Sequence, residues 1–239
     1  MSEQKTAQEV LKQSLLDAVL PNVAFDGWSE TALRRAAEDI GAERGLVQLA
    51  VPRGALDLAA AFHEAGDAEM LSRLDDLDFE AMRIRDKITY AVRTRLEIAE
   101  PHEEAVRRAS SMNALPLYAP EGAKLVWNTA DAIWNAVGDT SDDYNWYTKR
   151  MTLSGVFSST LLFWLGDTSP GREATWCFLD RRIGNVMDFE KLKSRVRKNP
   201  LARIALSGPK AILSRVRPPA DPAARAEGLD VGFPGRPIS

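Results

Sequence analysis

Gly27-Trp28-Ser29-Glu30-Thr31-Ala32-Leu33-Arg34-Arg35-Ala36-Ala37-Glu38-Asp39-Ile40-Gly41, followed by Ala42-Glu43-Arg44-Gly45-Leu46-Val47-Gln48-Leu49-Ala50-Val51-Pro52, is laid out as helix, turn, helix. Ser29 is a good N-cap, and the helix it opens reaches Ile40, where Gly41 closes it. A short helix over 44–50 is stopped by Pro52, and a further one covers 53–64. Upstream, Val10, Leu11, Leu15 and Val19 repeat at helical spacing over 6–19, a helix that Pro21 ends. Residues 1–65 therefore form a helical head built around a helix-turn-helix.

The helical reading extends to nearly the whole chain. Gly66 separates the head from an acidic stretch with Asp75, Asp76, Asp78 and Glu80. A long helix is expected over 79–99, with Ala81, Ile84, Ile88, Ala91, Val92 and Leu96 as its apolar stripe. Pro101 starts another, residues 115–120 are a loop, and helices follow over 121–137, 143–165 and 171–187. No alternating Val/Ile/Thr run bounded by hairpin turns appears. The fold class is all-α: a helical bundle over 66–188, a basic segment over 189–217 and a tail over 218–239. That tail holds five prolines and three glycines and reads as disordered.

Composition narrows function. With 239 residues, 45% hydrophobic and 27% charged, the chain can bury a full core. The opening MSEQKTAQEV lacks the apolar core of a secretory leader. The longest uncharged run, 151–166, is 16 residues with several hydroxyls, short of the roughly 20 apolar residues a membrane span needs. A single cysteine, Cys177, excludes an internal disulfide and a multi-cysteine zinc site. Its neighbours Trp176 and Phe178 predict a buried structural thiol. A cytoplasmic setting fits. The net charge of −3 hides an asymmetry: residues 1–188 hold twenty bases against thirty acids, and 189–217 hold nine bases against one acid. A basic segment on an acidic body suits a polyanionic surface.

Searches for reactive chemistry find no phosphate loop, dinucleotide fingerprint, HExxH or Gly-x-Ser-x-Gly. A di-iron site needs Glu-x-x-His pairs, but Ala60 precedes His63 by three and Ala99 precedes His102 by three. His63 is expected on a helix surface and His102 at a helix start. The acidic run lacks calcium-loop spacing. No catalytic residue, metal or cofactor is expected.

Residues 27–58 resemble the N-terminal head of TetR-type regulators through Gly27-Trp28, Ala36-Ala37, Gly41, Gly45-Leu46 and the 52–56 segment. A reading helix needs donors and bases that reach base edges and phosphates, and this one offers only Arg44 and Gln48. Across 28–53 four bases (Arg34, Arg35, Arg44, Arg53) face four acids (Glu30, Glu38, Asp39, Glu43), so few counterions can be released. A scaffold that does not bind nucleic acid is expected. A TetR-family regulator with an apolar effector pocket is the alternative.

A more specific resemblance lies further on. Val126-Trp127-Asn128-Thr129-Ala130-Asp131-Ala132-Ile133-Trp134 leads into Gly138-Asp139-Thr140-Ser141-Asp142-Asp143-Tyr144-Asn145-Trp146-Tyr147-Thr148-Lys149-Arg150. Then come Asp167-Thr168-Ser169-Pro170 and Trp176-Cys177-Phe178-Leu179-Asp180-Arg181-Arg182. These strings resemble the accessory family of ubiquinone (coenzyme Q) biosynthesis, that of the ninth-numbered Coq protein, over roughly residues 14–190. Tyr144 and Lys149 depart mildly, from Phe and Arg. The resemblance implies a TetR-like, dimeric, non-catalytic protein that binds isoprenoid lipids or ubiquinone intermediates and assists the demethoxyubiquinone hydroxylase. It carries the partner-docking role to Asn145, Trp146 and Tyr147, with Asp131, Trp134 and Asp143 matching the same pattern. For Trp134 and Tyr147 a core position is the alternative, and Trp146 is expected to be at least partly exposed.

Two lipid contacts complete the expectations. Beyond Met151 the 143–165 helix is apolar on nearly every face, which requires burial in a core, in a dimer seam or along a cavity. By analogy with TetR-like folds, Ile133, Phe157, Leu161 and Trp164 are expected to line an apolar lipid pocket. In 201–217, Leu201, Ile204, Ile212 and Val216 share a helical face opposite Arg203 and Lys210, with Leu213 and Arg215 in the same segment. That is the pattern of an interfacial helix on an anionic membrane, peripheral on the inner membrane. Gly208-Pro209 leaves one helix or two open.

Overall fold

The computed structural model describes residues 2–75, 82–141 and 144–198. Every regular element among them is helical. The order is α1 (Ser2–Asp26), α2 (Glu30–Asp39), α3 (Arg44–Ala50), α4 (Ala55–Asp75), α5 (Ile84–Ala99), α6 (Glu103–Asn113), α7 (Ala119–Ala136), α8 (Tyr144–Gly166) and α9 (Glu173–Lys198). Short 3-10 turns, Glu100–His102 and Pro170–Arg172, precede α6 and α9. The all-α class is therefore observed. Asp143, Leu201, Arg203, Ile204, Lys210, Ile212, Leu213, Arg215, Val216 and the 218–239 tail lie outside the described residues, as do Asp76, Asp78 and Glu80.

The chain divides into two compact units. The first comprises residues 1–78, 90–125 and 164–166, and the second 79–89, 126–163 and 167–239.

The first unit holds the head. Ser29 caps α2 by accepting from the Ala32 amide at 3.2 Å. Leu15, Leu16, Val19 and Val23 of α1 bury against Leu33 and Ala36 of α2, Val47 of α3 and Leu58 of α4. Trp28 packs tilted on Phe62 at 5.6 Å, and its indole donates to the Ala105 carbonyl at 3.0 Å. This fixes the start of α2 against α6.

Pro21 does not end α1; it lies inside it. An interior proline costs about 3 kcal/mol. Each of the four fully buried α1 side chains contributes about 1.5–3 kcal/mol, so packing outweighs the missing amide. Gly66 does not end α4 either. A Cβ there would lie 2.6 Å from Cζ of Arg95. The glycine admits the Arg95 guanidinium, which donates to Asp67 Oδ1 at 2.7 Å and to the His63 carbonyl at 3.0 Å. The expected boundary at 65 therefore falls mid-helix. His63 is not a surface residue. Its side chain is 19% exposed, and burial pushes its pKa down to about 4 against the pull of Asp67.

In the second unit, α7 ends in a left-handed Gly138 (φ +82°), with the Asp139 amide donating to the Trp134 carbonyl. Asp167 opens the α9 region. It accepts from the Thr175 hydroxyl and amide (2.5 and 2.8 Å) and the Ser169 amide (2.8 Å), which hold its carboxyl well below the usual range. The α9 helix runs on to Lys198, so the expected boundary at 188 also falls within a helix. Cys177 is exposed rather than buried. Its neighbour Phe178, one residue round the helix, stacks on Phe163 at 4.5 Å.

Candidate functional site: a lined cavity and its buried ion cluster

The second unit contains a cavity of about 540 Å³, within the range of about 300–1,000 Å³ usual for small-molecule sites. Residues Ile84 and Ile88 of α5, Val137 at the end of α7, and Ile183 and Val186 of α9 form apolar walls. The α8 helix contributes Asn145, Thr148, Lys149, Thr152, Leu153 and Val156. Those positions recur at steps of three and four, the spacing of one helical face. The wall is thus polar near the start of α8 and apolar two turns on. Gly138, Asp139, Thr140 and Ser141 complete the rim.

This cavity uses a different face of α8 from the one expected for a lipid pocket. Ile133, Phe157, Leu161 and Trp164 do not line this cavity. At about 100° per residue, Phe157 and Leu161 lie roughly 110° and 150° round from the middle of the lining face. Ile133, Phe157 and Trp164 are fully buried core residues, and Leu161 is half-buried.

Behind the polar wall sits a buried ion cluster. Arg150 is completely buried and donates to Asp131, to Asp139 at 3.1 Å, to Asn135 at 3.0 Å and to the Trp146 carbonyl at 3.2 Å. Its guanidinium also lies 4.0 Å from the Trp146 ring centroid, a cation–π contact. Lys149 donates to Asp139 and Ser141, both at 2.6 Å, and stands 5.1 Å over the Trp134 ring. Burial alone would raise the Asp139 carboxyl; hydrogen bonds from Lys149, Ser141 and Arg150 outweigh it and hold it below the usual range.

This geometry settles where the motif residues stand. Trp146 is only 2% exposed, packed against Trp127 at 5.9 Å and edge-on to Tyr147 at 4.7 Å. The expectation that it is exposed is corrected, because the tryptophan roofs the arginine. Asp131 is buried in the ion cluster. Trp134 and Asn145 line the cavity, and Tyr147 is half-buried. The Trp134 indole nitrogen is buried, with no hydrogen-bond partner among the described residues. Sequence reasoning missed Arg150 as an organiser and Ile84, Arg85 and Val156 as lining. A helical wheel of 145–156 anchored on Asn145 carries the signal for the α8 set. Among the described residues no group of three or more His, Cys, Asp or Glu side chains could hold a metal ion, and no helix is long and apolar enough to cross a membrane.

The arrangement matches a solved TetR transcriptional regulator from Nitrosomonas europaea, with a TM-score of 0.60 at 17% identity, covering 73% of this chain and 96% of that one. The fold is therefore that of a TetR-like helical protein. Residues 119–190, which carry most of the cavity and the whole ion cluster, match the family model described as COQ9. The chain is 30% identical over 202 residues to the mitochondrial ubiquinone biosynthesis protein COQ9 of Rattus norvegicus (82% of this chain, 64% of that protein). It is 34% identical over 208 residues to COQ9-B of Xenopus laevis (78% and 66%). It spans just under two thirds of the length of these relatives, and over that shared length it is similar to the COQ9 family.

Proposed function

We propose that this chain is a non-catalytic accessory of ubiquinone biosynthesis. In this reading it takes an isoprenoid lipid, such as a quinone intermediate, from the membrane and presents it to the demethoxyubiquinone hydroxylase. The observation that carries the proposal is the cavity of about 540 Å³, apolar along α5 and α9, within a region that matches the COQ9 family. Relatives named for ubiquinone biosynthesis support the pathway. An apolar cavity with a polar rim suits a ligand with a long apolar chain and a polar head. The proposal includes a homodimer and peripheral contact with an anionic inner membrane, the latter resting on the basic 189–217 segment of the sequence.

The competing reading is a DNA-binding regulator. The chemistry of α3 weighs against it: its exposed face is largely apolar, with Leu46 and Leu49 more than half exposed, and of its exposed polar side chains, Arg44 and Gln48, the Gln48 amide donates to the Pro52 carbonyl. Such a face offers little to base edges. Quinone profiling of a strain lacking this gene separates the two. The accessory role requires lowered ubiquinone and an accumulated unhydroxylated precursor. A normal quinone profile overturns it.

A further inference from the structure

We propose that the cavity, besides a neutral quinone, takes amphiphiles with an anionic head, a phosphate or carboxylate, and that Arg85 is the residue that holds that head. The inference rests on the reading of the cavity as a lipid site and names a further class of lipid it takes.

The argument is an accounting of charge around the lining. Two cations line the cavity, Lys149 and Arg85. Lys149 is committed, with contacts of 2.6 Å to both Asp139 and Ser141. Asp139, the acid of the lining, is in turn shared between Lys149 and Arg150. Arg85 differs. Among the described residues it forms no ion pair, and its acceptor is the Asp180 carbonyl at 3.5 Å, the far limit of a hydrogen bond. Asp86, the acid of the same turn, is held by Arg83 at 2.9 Å. Among the described residues the lining therefore carries one positive charge without an acid partner, with most of its five donors unused.

A guanidinium fork matches a carboxylate or phosphate with two parallel hydrogen bonds. Arg85 also lies in the first turn of α5, where the helix's own partial charge is positive. Both effects favour an anion at one place. The side chain is exposed, so a head bound there keeps part of its hydration, and the desolvation that penalises buried charge is limited. Ile84 and Ile88 flank Arg85 on the same helix and begin the apolar wall that would receive the chain. A neutral head would leave the guanidinium to water and gain nothing from it.

The test uses the full chain and three probes: farnesyl phosphate, farnesol and inorganic phosphate. Binding is followed by tryptophan fluorescence, since Trp134 lines the cavity, and by calorimetry at low and high salt. Farnesyl phosphate is expected to bind about tenfold more tightly than farnesol, the size of one charge-assisted hydrogen bond. That ratio should narrow with salt, fall to near one in Arg85→Gln, and be partly kept in Arg85→Lys. Inorganic phosphate alone should not bind at the same concentrations, which makes the chain necessary as well as the head. Equal affinity for the two amphiphiles, or an undiminished ratio in Arg85→Gln, overturns the role of Arg85 while leaving the lipid site standing. Failure of both amphiphiles to bind overturns the lipid reading, and this inference with it.

Discussion

Replacing Arg150 with Met isolates the energy of the buried cluster. The arginine is completely buried between Asp131 and Asp139, with the Trp146 ring over its guanidinium. Methionine fills much of the same volume but leaves the acids behind. Asp139 keeps Lys149 and Ser141. Among the described residues Asp131 keeps only the Asn135 amide, at 3.0 Å, and is left in the core without its arginine. Breaking a buried pair from one side costs about 3–5 kcal/mol. Against a total stability of about 5–15 kcal/mol, that is a large fraction. Urea titration read by tryptophan fluorescence should show the denaturation midpoint falling with an unchanged slope. The companion variant Arg150→Met/Asp131→Asn removes the stranded charge and should recover at least half of the loss. A single variant within about 1 kcal/mol of the parent refutes the reasoning. So does a double variant no better than the single, since either result means that the pairing of Asp131 with Arg150 contributes little to stability.

Two further outcomes follow from the first unit. His63 is neutral in the fold with a pKa near 4, while the unfolded chain takes up a proton near 6.5. Its contribution is therefore complete above about pH 6.5 and is lost as the pH falls toward 4, by up to about 3 kcal/mol. His63→Gln should flatten that part of the stability profile, and an unchanged slope between pH 4 and 6.5 would contradict the assignment. Gly66→Ala would place a methyl 2.6 Å from Arg95 Cζ. Although alanine is the better helix former, the variant should lose about 1–3 kcal/mol, measurable as a lower melting temperature. A gain in stability would mean that Arg95 moves aside at no cost.

What the sequence discloses is what is decided locally. The Ser29 cap, the Gly41 stop and the bounds of α3 depend on a few neighbouring residues and were legible. Pro21 and Gly66 were misread because their meaning is tertiary. Nothing near Gly66 announces an arginine arriving from 29 positions away, and nothing near Pro21 announces the packing that carries α1 past it. The Asn145-Trp146-Tyr147 motif was legible as special, but the direction in which Trp146 points was not. Residue type says that an aromatic matters, whereas the phase of α8 decides whether it meets solvent or Arg150. The same phase moved the cavity from Phe157 and Leu161 to Thr152, Leu153 and Val156.

The exposure of Cys177 has a practical side. It is the chain's single cysteine and stands open on α9, in the same unit as the cavity. A thiol-reactive fluorophore or spin label can therefore be attached at one defined place without altering any residue. Trp176 lies beside it in sequence and Trp134 lies in the cavity wall, so indole-to-dye energy transfer offers a readout of ligand entry in the unmutated protein. The same open thiol makes reductant a necessary component of any measurement of oligomeric state, because two molecules joined through it would imitate a dimer that the fold did not make.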